Sequence, residues 1–215
     1  MTIILAGKTA AGIIFCYDLA LYSESSIKRR GNQASYSLTE KVIPLSIGKI
    51  AVGLSFRGTT YNTEIAKIER ALHRNHPRWF TRALDDLVRN DRPSLSAETA
   101  PSADSDQKTT SNIQYLIGLV QNQKYRLFQS YEDQPGLQEV ECAGIGSGVY
   151  PHIQRRLNTG YNPLSDSTTL TAHFQRTIKL AKLSVRQHHQ LPLRGIGISI
   201  LTKQGYRVLS TNPNP

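Results

Sequence analysis

Apolar and polar positions alternate along this chain in two different periods, and the period changes where the element type changes. "TIILAG" and "AGIIFCYD" are near-continuous apolar runs, the pattern of buried strands, and the short connection "GKTA" joins them as a hairpin. From Leu19 to Glu40 polar residues dominate, with many serines and Gly31, so the segment reads mostly as loop. "KVIPLSIGKIAVGLSF" resumes as a strand pair about Ile47-Gly48, with Ile50, Val52 and Leu54 alternating. The period then becomes helical. Ile65, Ile68 and Leu72 share one face, Pro77 punctuates, and Trp79, Phe80, Ala83, Leu84, Leu87 and Val88 trace a second amphipathic helix.

Residues 92–112, "RPSLSAETAPSADSDQKTTSN", offer almost nothing to bury and read as a flexible insertion rather than a domain boundary. Strands return with "IQYLIGLV" and "KYRLFQSY" about a "QNQ" turn, and "QEVECAGIGSG" adds one more strand running into a glycine-rich bend. "VYPHIQRRLN" predicts a short helix with Val149, Ile153 and Leu157 aligned; Leu170, Phe174, Ile178, Ala181 and Val185 line a longer one. "GIGISIL" and "YRVLS" close as a hairpin about Lys203-Gln204-Gly205, and "TNPNP" reads as a frayed tail. Strand runs separated by helix pairs predict an α+β fold: a four-layer αββα sandwich of two packed antiparallel sheets flanked by helices. At 215 residues, with no internal repeat, the chain is expected to form a single domain, 1–215.

Composition narrows the partners. A net charge of +10 makes nucleic acid or an acidic surface a legitimate partner class. The bases are dispersed, however, in small clusters at Lys28-Arg29-Arg30, at Arg155-Arg156 and along the helical stretch from Lys67 to Arg82. No nucleic-acid motif accompanies them, which favours a solvated basic face over a nucleic-acid site. No run approaches the roughly 20 apolar residues of a membrane span, and the opening lacks the basic n-region of a signal peptide, so a cytoplasmic protein is expected. The two cysteines, Cys16 and Cys142, sit in apolar strand-like runs and read as reduced core residues. Their isolation gives no metal-binding spacing. His188 and His189 are adjacent, so on a helix they diverge rather than share a ligand.

The candidate chemistry lies at Thr2. A threonine hydroxyl is a weak nucleophile and needs a base beside it. Read alone, Thr2 is an ordinary strand residue. If Met1 is removed, it carries its own base, the α-amino group, whose reference pKa of about 7.7–8 leaves much of it neutral near pH 7.

In that setting the order of motifs resembles the proteasome β-subunit family of N-terminal nucleophile hydrolases. The matching features are Thr2, "AGK" at 6–8, Gly12-Ile13-Ile14, Tyr17-Asp18, "KVIPL" beginning at Lys41, "KIAVGLS", "AGIGSG" at 143–148 and the closing "ISILTKQGYRVLS". The resemblance spans nearly the whole chain. It implies a threonine peptidase in which Thr2 Oγ attacks a peptide carbonyl and the Thr2 amine takes its proton. Lys41 stands beside the amine and favours its neutral form, Asp18 orients Lys41, Ser147 hydrogen-bonds near the amine, and backbone N–H near Ser55 forms the oxyanion hole. It further implies no metal or cofactor, a homo-oligomeric ring that encloses the threonines and a peptide or unfolded-protein substrate, and it leaves open whether an ATPase unfoldase is a partner.

Some positions depart from that pattern. Ala20 stands where the family has an arginine, Ser55 where a glycine is usual, and the loop from Leu19 to Glu40 is longer. "RQHHQLPLRG" from Arg186 to Gly195 lacks the family's aspartate and serine, with His188 or Gln187 as the candidates to stand in for them. These departures keep a second reading open, a non-catalytic ring-forming scaffold or binding protein. A basic nucleic-acid-associated protein is a third, resting on net charge alone.

Overall fold

The computed structural model describes residues 2–22, 36–55, 61–90, 113–131, 134–147, 149–187 and 194–212. The insertion expected at 92–112 lies outside them, as do Met1, Lys28-Arg29-Arg30 and His188-His189. Two five-stranded antiparallel sheets dominate. The first runs β10-β1-β2-β11-β12, with β1 at Ile4–Lys8, β2 at Ile13–Tyr17, β10 at Cys142–Ile145, β11 at Ile196–Thr202 and β12 at Gly205–Asn212. The second runs β5-β6-β7-β8-β9, with β5 at Val42–Pro44, β6 at Ile50–Ser55, β7 at Gln114–Gln121, β8 at Lys124–Ser130 and β9 at Leu137–Val140. Helices α1 (Tyr61–His73), α2 (Phe80–Asn90), α3 (Pro151–Gly160) and α4 (Ser167–Gln187) complete the described elements, with a 3-10 turn at Pro77–Trp79.

Side-chain alternation explains the layering. Along β1, Ile3 and Leu5 join Ile14 and Cys16 of β2 on one face, packed against Ile153 and Leu157 of α3 and Leu170, Phe174, Ile178 and Ala181 of α4. Ile4 and Ala6 point the other way with Ile13, Phe15 and Tyr17, against Val42, Ala51, Leu116 and Leu127 of the second sheet. The far face of the second sheet, from Ile50, Val52, Leu54, Tyr115 and Ile117, meets Ile68 and Leu72 of α1 and Leu84 and Val88 of α2. The fold is thus mixed α+β, two antiparallel sheets and four helices among the described residues, an arrangement compatible with a sandwich. Each large side chain buried in these clusters contributes about 1.5–3 kcal/mol.

Local chemistry fixes the ends of these elements. Asn122 and Gln123 both take positive φ, the type I′ geometry that joins β7 to β8 without splaying them. Pro151 opens α3 at a position that needs no backbone donor. Asp166 caps α4, its carboxylate accepting from Thr169 N at 2.8 Å and Thr169 Oγ1 at 3.0 Å, and those bonds hold it below the usual carboxylate range.

The structure corrects the sequence reading in several places. The polar segment from Leu19 to Glu40 contains a strand pair, β3 (Ala20–Tyr22) with β4 (Tyr36–Leu38), hydrogen-bonded antiparallel. "QEVECAGI" is two strands rather than one: β9 belongs to the second sheet and β10 to the first, with the chain crossing between them at Glu141. Trp79 sits in the 3-10 turn, half exposed, instead of on the buried face of α2. Thr211 and Asn212 of the expected frayed tail belong to β12.

Candidate functional site

Thr2 lies just before the interior strand β1, and the registers on either side dictate its neighbours. The β1–β2 ladder pairs Ile4 with Tyr17, so Asp18 falls beside Ile3. Asp18 N–H donates to Ile3 O at 3.2 Å, and Ile3 N–H donates to Asp18 Oδ1 at 2.8 Å. On the opposite flank, β1 pairs Ile4 with Ile145, so the turn after β10 arrives beside Thr2. Thr2 N–H donates to Ser147 Oγ at 3.4 Å. Gly146 makes this approach possible. Its φ is +108°, and a Cβ there would stand 2.2 Å from the Thr2 carbonyl oxygen.

Lys41 comes from the second sheet. It directly precedes β5, whose Val42 is buried between the sheets, and its Nζ donates to Asp18 Oδ2 at 2.7 Å. Asp18 is 0 % exposed and Lys41 4 %, so the ion pair is shut away from water. Burial pushes Lys41 below its ordinary value of 10.5, and the Asp18 carboxylate opposes that shift by charge and hydrogen bond. With one oxygen on Ile3 N–H and the other on Lys41, Asp18 ties the backbone after Thr2 to the cation.

Ser55 ends β6, 9 % exposed. Pairing of Val42 with Gly53 puts Lys41 and the Leu54–Ser55 end of β6 at the same end of the second sheet. Thr2, Asp18, Lys41 and Ser147 are thus joined by hydrogen bonds through Thr2 N–H and Ile3 N–H, while Ser55 is placed by register alone. The departure at Ala20 is fully buried in β3, opposite Leu38, with no cation in its place. Gln187 ends α4, and His188 lies outside the described residues.

Two further residues near the site stand outside the candidate set: Tyr206, within the closing hairpin motif, and Gln114, which carries no motif signal. Tyr206 OH donates to Val42 O at 2.9 Å, pinning the residue after Lys41 to the C-terminal hairpin. Gln114, which pairs with Ser55 across β6 and β7, accepts from Gly146 N–H at 2.7 Å through Oε1. The only trace of Gln114 in the sequence is its polar side chain one strand period before Leu116, an inward position.

Both cysteines are free thiols. Burial pushes the Cys142 thiol up to about 12 and Cys16 higher still, which suppresses the reactive thiolate at both. Among the described residues, no three or more His, Cys, Asp or Glu side chains come together as metal ligands, and no helix is long and apolar enough to cross a membrane.

The arrangement supplies a hydroxyl, a backbone nitrogen that becomes an amine once Met1 is removed, and a buried Lys41–Asp18 pair tied to the Ile3 N–H next to it. No family model matches the chain, and no curated protein matches it.

Proposed function

We propose that the protein is a proteasome-like threonine peptidase, an N-terminal nucleophile hydrolase with the four-layer αββα fold, acting on peptide or unfolded-protein substrates. The observation that carries the reading is the convergence of Thr2, Asp18, Lys41 and Ser147, far apart in sequence, on one hydrogen-bonded cluster.

Once Met1 is removed, the Thr2 amine accepts the proton of Thr2 Oγ as the oxygen attacks the scissile carbonyl. Lys41, held by Asp18, places positive charge behind the amine and favours its neutral, proton-accepting form. Backbone N–H at the Ser55 end of β6 receives the developing oxyanion. The tetrahedral adduct collapses to an ester on Thr2 as the amine's proton passes to the departing peptide nitrogen. Water, deprotonated by the same amine, then hydrolyses the ester and restores the hydroxyl. A closed homo-oligomeric ring in the cytoplasm completes the proposal.

Intact mass followed by electrophile labelling tests it. The expected result is loss of Met1 and a stoichiometric adduct of a peptide epoxyketone or vinyl sulfone on Thr2, abolished in Thr2→Ala. Retention of Met1 in the assembled protein sinks the reading, because the nitrogen of Thr2 is then an amide and no base. The buried Ala20 at the arginine position favours a second reading, a non-catalytic scaffold. Loss of Met1 with no adduct, and no activity lost in Thr2→Ala, is the outcome that selects it.

A further inference from the structure

The turn that carries Ser147 is held from the other sheet. Gln114 at the start of β7 shares its parity with Leu116, and Gln129 of β8 shares its parity with Leu127; both leucines are buried between the sheets. The two glutamines therefore occupy inward-facing positions where packing alone selects apolar side chains. An inward polar group is costly unless its hydrogen bonds are made, and both amides make theirs to the β10 end of the first sheet. Gln114 Oε1 accepts from Gly146 N–H at 2.7 Å, and Gln129 Nε2 donates to Gly144 O at 3.1 Å. Gly146 has no room for a side chain against the Thr2 carbonyl, and the next residue, Ser147, receives Thr2 N–H. A continuous path thus runs from Gln114 through the Gly146 amide and Ser147 Oγ to the Thr2 nitrogen. The same glutamine pairs in register with Ser55, at the proposed oxyanion strand.

We propose that Gln114 is a positioning residue of the Thr2 site: its amide oxygen fixes the Gly146–Ser147 turn against the Thr2 amine and couples that turn to the Ser55 strand. The inference rests on the peptidase reading for its purpose, but its geometry is measurable without turnover.

The experiment compares the full-length wild type with Gln114→Leu, which keeps bulk and removes the acceptor, and Gln114→Glu, which keeps an acceptor. Three quantities are read: amide exchange of Gly146, ionisation of the Thr2 amine by competitive acetylation with acetic anhydride across pH, and the rate of Thr2 adduct formation with the electrophilic peptide. Urea unfolding confirms that each variant is folded. Loss of one hydrogen bond in Gln114→Leu is expected to speed Gly146 exchange about tenfold and slow adduct formation comparably. Gln114→Glu is expected to retain Gly146 protection and much of the adduct rate. Its added negative charge is expected to raise the pKa of the amine, whose hydrogen-bonded cluster also holds Asp18 and Lys41, by about half a unit. Unchanged Gly146 exchange in Gln114→Leu overturns the inference, as does a Gln114→Glu variant no better than Gln114→Leu in protecting that amide. A wild type that forms no adduct, while Gly146 exchange and amine ionisation respond as expected, overturns the peptidase reading alone.

Discussion

The Lys41–Asp18 pair decides most of what single side chains contribute. Both partners are buried, so removing one leaves the other without its charge partner in a low-dielectric site. Lys41→Met is expected to lower unfolding free energy by about 3–5 kcal/mol, measured by urea denaturation. The double variant Asp18→Asn with Lys41→Met is expected to recover most of that loss, because neither charge is then buried. It is not expected to recover Thr2 adduct formation, which the proposed mechanism ties to the cation. The pair also sets a pH dependence. In the unfolded chain a lysine keeps its proton up to about 10.5; in the folded protein burial makes Lys41 release it at lower pH. Between those two points the unfolded state binds more protons, so the Lys41 contribution to stability rises with pH, by at most about 1.4 kcal/mol per unit. Wild type is therefore expected to gain stability relative to the double variant as pH rises toward 10.5, and a difference that falls instead contradicts the burial of this lysine.

At the scale of elements, the turn after β10 is the sharpest test, because its geometry leaves no tolerance. Gly146→Ala puts a methyl group against the Thr2 carbonyl at a φ that alanine rarely adopts, a strain of about 1–3 kcal/mol. The expected outcome is a lower unfolding midpoint with unchanged far-ultraviolet dichroism and loss of Thr2 adduct formation. Wild-type labelling in that variant removes the turn from the site. This turn also marks where sequence reading succeeds and where it stops. Thr2, Asp18, Lys41 and Ser147 were picked out by the order of motifs they resemble, and the structure brings them together; continuous apolar runs marked β1 and β2, and two-residue alternation marked β6. Val140 and Cys142 keep a two-residue spacing across Glu141, so the pattern concealed the switch of sheet there. Periodicity records that a strand is half-buried, not which strand it pairs with. The three-residue strands β3 and β4 are too short to show a period at all. Gln114 escaped notice because a single glutamine at a strand start resembles any solvent-facing polar residue until the parity of β7 is known.

For the molecule as a whole, the site exists only while the two sheets stay in register with each other. Thr2, Asp18 and Ser147 belong to the first sheet or its ends; Lys41, Ser55 and Gln114 belong to the second. The inter-sheet core between them is closed by Phe15 of β2 over Gly118 of β7, where a Cβ would meet Phe15 Cζ at 2.8 Å and Ile13 Cδ1 at 3.2 Å. A methyl group at that position has nowhere to go but to press the sheets apart. Gly118→Ala is expected to cost about 1–3 kcal/mol of stability and, in the folded protein, to slow Thr2 adduct formation although it touches no site residue. Phe174→Ala provides the contrast. Phe174 is fully buried on the helix side of the first sheet, so its truncation is expected to cost about 3–5 kcal/mol. Because that cavity opens away from the second sheet, the labelling rate of the folded fraction is expected to stay near wild type. Urea denaturation of both variants, followed by tyrosine fluorescence and by labelling without denaturant, separates stability from alignment. Equal effects on labelling would mean that global stability, and not the spacing of the sheets, governs the threonine.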